Sequence, residues 1–149
     1  MRLILVILCV LFSAVSCTKS GFTTKPQLKI KSVNSTEITG DETLEFTIRI
    51  TDKEGDYSPF FGIEATTPNC PASDFSDSTL FQIPSQFIDS KNKEGDIVLD
   101  LTKIQRHSNL CQGTGNSFLT DTTVYSFWTK DKAGNVSDTV RSVPIIIHP

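Results

Sequence analysis

Leu44, Phe46, Ile48 and Ile50 alternate with Glu45, Thr47 and Arg49. A strict two-residue period puts every apolar side chain on one face of an extended chain and every polar one on the other. Such a segment cannot bury itself as a helix; it needs a sheet with one covered face. The same period returns at Leu28 and Ile30, and again at Ile97, Leu99 and Leu101. Shorter apolar runs lie at Phe60–Ala65, Leu80–Ile83, Val124–Thr129 and Val143–Ile147. Between them stand clusters rich in Asp, Gly and Asn, the residues that start turns or accept positive φ: Thr39–Asp41, Asp52–Asp56, Lys93–Asp96 and Asp131–Asn135. No stretch sustains a 3.6-residue period, although Leu101–Leu110 has room for a helical turn. About seven short strands separated by regular turn signals predict an all-β fold, a single antiparallel sandwich of two packed sheets.

The first residues do not belong to that fold. Met1-Arg2 precedes an unbroken apolar run from Leu3 to Phe12, then Ser13-Ala14-Val15-Ser16-Cys17. A positive end, a short apolar core and small residues before a cut are the marks of a secretory signal. The run is too short for a bilayer, which takes about 20 residues. Ala14-Val15-Ser16-Cys17 resembles the lipobox of bacterial lipoproteins. The resemblance implies cleavage before Cys17, acyl chains on that residue and a firm hold on a membrane, since two or more chains anchor stably. Thr18 stands where an Asp would imply inner-membrane retention, so the expected address is the outer membrane, facing the periplasm. The chain thus divides into a signal peptide (1–16), a lipidated cysteine with a small polar tether (17–25) and a sandwich domain (26–149).

The chain carries 14 basic and 17 acidic residues, a net charge of −3, and loss of Arg2 with the signal makes the remainder slightly more acidic. That balance offers no basic footprint for nucleic acid. Of the four cysteines, Cys9 leaves with the signal and Cys17 takes the lipid. Cys70 and Cys111 remain as an even pair in an oxidising compartment, where a disulfide is expected. Closing a loop of about 40 residues would contribute ~4 kcal/mol in the loop-entropy model. The rival is a metal site with His107, but one His and isolated Cys residues do not complete the tetrahedral set zinc prefers.

Val124-Tyr125-Ser126-Phe127-Trp128-Thr129-Lys130-Asp131-Lys132-Ala133-Gly134-Asn135-Val136-Ser137 resembles the F–G hairpin of bacterial Ig-like and fibronectin-III-like domains. Leu44–Asp56 is similar to the B strand and following turn of small Bacteroidetes-type lipoproteins. The resemblance implies an Ig-like sandwich with Tyr125 and Phe127 pointing inward and Trp128 outward. It carries no activity, because such folds host many functions.

Three sets of residues could do chemistry. Asp52, Glu54 and Asp56 gather carboxylates on one turn, with Asp131 on the turn that echoes it, Asp52-x-x-Gly55-Asp56 against Asp131-x-x-Gly134-Asn135. Calcium takes such oxygen-rich loops, yet an Asp-x-x-Gly turn forms without metal, so no cofactor is required. Trp128, with Phe60 and Phe61 near a loop, could form an aromatic platform for sugars or peptides. For catalysis there are only His107 and His148, no Gly-x-Ser-x-Gly elbow and no evident triad, so no enzyme is expected. The reading that follows is a non-enzymatic structural or protein-binding module of the cell envelope. The alternative is a carbohydrate-binding accessory lipoprotein that uses exposed aromatics.

Overall fold

The computed structural model describes residues 23–39, 41–67, 75–102 and 120–148, with the side chains of residues 75–79 left aside. Cys17, Cys70, Cys111 and His107 lie outside the described residues, as does most of the helical turn expected over Leu101–Leu110. The elements run β1 (Gln27–Val33), β2 (Glu37–Ile38), β3 (Leu44–Thr51), β4 (Tyr57–Thr66), β5 (Phe75–Gln82), α1 (Ser85–Asp89), β6 (Glu94–Leu101), β7 (Asp121–Asp131), β8 (Val140–Arg141) and β9 (Ile145–Ile147). One sheet has the order β1-β3-β6; the other runs β2-β9-β7-β4-β5, with β8 also on β7. Every pairing is antiparallel except the short β2–β9 contact, which is parallel. This is the two-sheet antiparallel sandwich that the alternation predicts.

β3 shows why. Leu44, Phe46, Ile48 and Ile50 are all fully buried, while Glu45 is exposed and Arg49 half-buried. Each such side chain removed from water contributes about 1.5–3 kcal/mol. From the facing sheet Tyr125 and Phe127 of β7 meet Phe46 with ring centroids 5.4 and 5.1 Å away, and Phe61 of β4 lies 5.9 Å from Phe127. Tilted and edge contacts of this kind suit the charge distribution of aromatic rings.

The edge of β7 is completed by serines. Ser142 donates its N–H to the Tyr125 carbonyl, and its hydroxyl oxygen accepts the Tyr125 N–H at 3.0 Å. Ser137 repeats the arrangement on Thr129, again at 3.0 Å. In both places a hydroxyl replaces a neighbouring carbonyl where the partner strand leaves regular register, so no buried N–H of β7 goes unpaired there.

Two expectations need correction. Lys93–Asp96 is not a turn: β6 begins at Glu94, and the chain reverses before it, around Lys91 at φ 52. Gly95 serves close packing instead, since a Cβ there would stand 2.3 Å from the Phe87 ring. The helix α1 leaves no periodic signal in the sequence, because five residues are too few to display a helical period. Phe60 and Phe61 sit within β4, as the apolar run Phe60–Ala65 predicts. Strand pairing over Val143–Ile147 contracts to Ile145–Ile147, because Pro144 has no N–H to give a ladder. No helix among the described residues is long and apolar enough to cross a membrane.

Candidate functional site

Within β4 the period of two sends Phe61, Ile63 and Ala65 into the core and Phe60 and Glu64 to the outer face. β7 does the same: Phe127 and Thr129 are buried, Trp128 is half-buried and Lys130 exposed. Register then assembles the surface. Gly62 is paired with Trp128 on one side and with Leu80 of β5 on the other. A Cβ on Gly62 would lie 2.2 Å from the indole Cε2 and 2.6 Å from Nε1. The indole therefore lies across the bare glycine backbone, an aromatic covering a gap in the sheet.

Beside this indole is a shallow groove of about 170 Å³, lined by Phe60, Leu80, Trp128, Lys130 and Val136 together with Gly62 and Thr129. Phe60, Leu80 and Val136 keep 44%, 55% and 50% of their surface in water. The Thr129 hydroxyl donates to the Phe60 carbonyl at 3.1 Å, and Lys130 bridges to Val136, so the walls are tied to one another. Small-molecule pockets usually enclose about 300–1,000 Å³; this groove is a contact surface with room for one sugar ring or one large side chain. Among the described residues of its lining, Lys130 is the one titratable side chain. What the groove offers is an apolar, partly aromatic face with one cation at the rim.

Of the three aromatics expected on a platform, Trp128 and Phe60 share this face. Phe61 does not: it is 1% exposed and belongs to the core, because it stands one residue out of phase with Phe60. Leu80 and Val136 escaped the sequence reading. Aliphatic residues on an outer strand face carry no chemical signature of their own, and only the register brings them beside Trp128.

The acidic candidates also rearrange. Asp52, Asp56 and Asp131 come together from two turns, whereas Glu54 is exposed and stands apart. His148 lies elsewhere, on an exposed edge: its Nε2 is 2.7 Å from Glu37 Oε1 and its Nδ1 3.1 Å from Thr120 Oγ1. Those contacts pin the end of β9 beside β2.

No protein-family model matches the chain, and no curated protein matches it. Among solved structures it is similar to Spo0M, a sporulation control protein from Bacillus subtilis, with a TM-score of 0.49 and 8% identity over 85% of this chain and 51% of that one. It is also similar to part of a beta-glucosidase from Listeria innocua, in complex with laminaribiose (TM-score 0.45, 12% identity) and with glucose (TM-score 0.42, 11% identity). In both, 84% of this chain is covered and 16% of the glucosidase. The chain thus spans about half the length of the first protein and a small part of the second, and likenesses this distant carry no argument about activity.

Proposed function

We propose that this chain is a non-enzymatic binding module of the cell envelope, tethered by acyl chains on Cys17 to the periplasmic face of an outer membrane. The domain, in this reading braced by a Cys70–Cys111 disulfide, meets an envelope protein through the outer face of β4, β5 and β7. The observation that supports this most is the apolar face itself: Phe60, Leu80 and Val136 are half in water around Trp128. Contiguous apolar surface rimmed by polar groups is what a protein contact site looks like before it is covered. A second reading, carbohydrate binding, is favoured by one feature, the half-exposed Trp128 ring held flat over Gly62, since planar aromatic faces suit sugar rings.

The chain has one tryptophan, so its fluorescence reports on this face alone. Affinity capture from solubilised envelopes with the full-length lipidated protein should enrich a discrete partner, with a shift in emission. Trp128→Ala should lose that partner by tenfold or more in affinity, as hot-spot aromatics do. A signal on a glycan array instead favours the second reading. Turnover of a hydrolase substrate without any partner sinks both.

A further inference from the structure

The two echoing turns meet in space. β3 ends in the Asp52–Asp56 turn and β7 ends in the Asp131–Asn135 turn, and Tyr57 pairs directly with Asp131. The Lys132 N–H donates to the Asp56 carbonyl at 2.8 Å, tying one turn to the other. Carboxylate oxygens from Asp52, Asp56 and Asp131, one from each, all lie within 4.8 Å of one another. Asp52 and Asp131 are buried and Asp56 is half-buried. None of the ion pairs formed among the described residues reaches any of the three.

Their hydrogen bonds leave a definite deficit. Asp52 Oδ1 accepts the N–H groups of Glu54 and Gly55 at 2.8 and 2.7 Å. Asp52 Oδ2 is equally buried and has no hydrogen-bond partner. Asp131 accepts from the Asn135 backbone and side chain, at 2.7 and 2.6 Å. A carboxylate oxygen taken out of water without a partner is costly, and two further carboxylates beside it add repulsion. A shared cation removes both costs.

We propose that Asp52, Asp56 and Asp131 form a divalent-cation site, with Ca²⁺ the ion it takes, clamping the turn after β3 to the turn after β7. The donors are hard carboxylate oxygens, with neither sulfur nor nitrogen, which selects a hard cation. Oxygens bound to one Ca²⁺ at about 2.3–2.6 Å can lie no more than about 5 Å apart, which is the spread seen here. Calcium also tolerates irregular ligand sets from turns, whereas Mg²⁺ demands a tighter octahedron at about 2.0–2.1 Å. Asp52 Oδ2 is the ligand atom that the turn itself leaves over. Glu54, exposed on the same turn, stays outside the site.

The test is thermal unfolding and calorimetric titration of the full-length protein in detergent, stripped with chelator and returned to CaCl2 or MgCl2. At affinities usual for extracellular modules, about 10 mM Ca²⁺ should raise Tm by about 5 °C, and Mg²⁺ should do less. Asp52→Asn keeps an oxygen for the Glu54 and Gly55 N–H groups but removes the carboxylate, so the turn survives and the Ca²⁺ shift disappears. Should that variant fail to fold, Asp56→Asn serves, since the Asp56 carboxylate makes no hydrogen bond among the described residues; it too should lose most of the shift. Glu54→Gln should keep all of it. The absence of both a binding heat and a Tm change up to about 10 mM Ca²⁺ overturns the proposal, as does a shift that both Asn variants retain. An equal response to Mg²⁺ overturns the assignment to Ca²⁺.

Discussion

Tyr57 occupies the seam where several of these features meet. Its ring is fully buried and stacks on Phe87 with centroids 5.4 Å apart, while its hydroxyl donates to the Lys93 carbonyl at 2.9 Å. Burial, with the charge of Asp52 second, pushes its hydroxyl pKa well above the ordinary value of 10.0. The unfolded chain releases that proton from about pH 10 upward, whereas the folded protein holds it. The stability contributed is therefore fully present below pH 10 and declines as pH rises beyond it. Tyr57→Phe should cost about 1 kcal/mol near neutrality, the usual worth of one hydrogen bond. The Lys93 carbonyl keeps the Asp52 N–H at 2.8 Å, so it is not orphaned. Urea melts at pH 7 and above pH 10 should show the variant losing less stability on alkalinisation than the wild type; an equal decline would show that Tyr57 titrates as a free phenol.

At the scale of elements, the start of β6 shows how one composition can serve two purposes. Lys-Glu-Gly-Asp reads as a turn, yet Glu94, Gly95 and Asp96 pair with Thr51, Ile50 and Arg49 of β3. Arg49 reaches back to Asp96 and Glu94, and Lys31 of β1 joins Asp96 at 3.0 Å, so the charges are cross-strand partners on an outer face. Hydrogen bonds from Arg49 and then Lys31 hold the Asp96 carboxyl below its ordinary range. Gly95 leaves the room that the Phe87 ring of α1 fills. Gly95→Ala should therefore destabilise the protein by about 1–3 kcal/mol, the range for overpacking, and loosen the Tyr57–Phe87 stack. A chemical melt gives the first and the near-ultraviolet aromatic signal the second. A neutral result would mean that Phe87 moves aside without loss.

For the whole molecule, stability rests on the layer between the sheets. Phe46 sits at its centre, fully buried and in ring contact with both Tyr125 and Phe127. Phe46→Ala should cost about 3–5 kcal/mol, a large part of the ~5–15 kcal/mol that holds a domain folded. Val98 lies on the next strand with 58% of its surface in water, and Val98→Ala should stay within about 0.5 kcal/mol. Equilibrium unfolding of the pair measures the contrast; similar values would mean that the two sheets are not packed as described.

Period, turn chemistry and residue type determined much of this protein before any contact was known. The alternation of β3 named its buried face correctly, whereas the burial of Tyr125 and Phe127 was implied only by the resemblance of their segment to an F–G hairpin. Gly55 and Gly134 do take the positive φ, 66° and 92°, expected of their turns. These are properties of neighbouring residues, set by backbone sterics and a two-residue repeat. The sites were less legible. That Trp128 lies over Gly62 beside Leu80, that Phe61 is core and Phe60 is surface, and that Asp131 joins Asp52 and Asp56 while Glu54 does not all depend on which strands pair and in what register. Register is a long-range choice, decided by burial between the sheets. The sequence supplied two similar acidic turns; only the sandwich, by setting β4 beside β7, brought them close enough to share an ion.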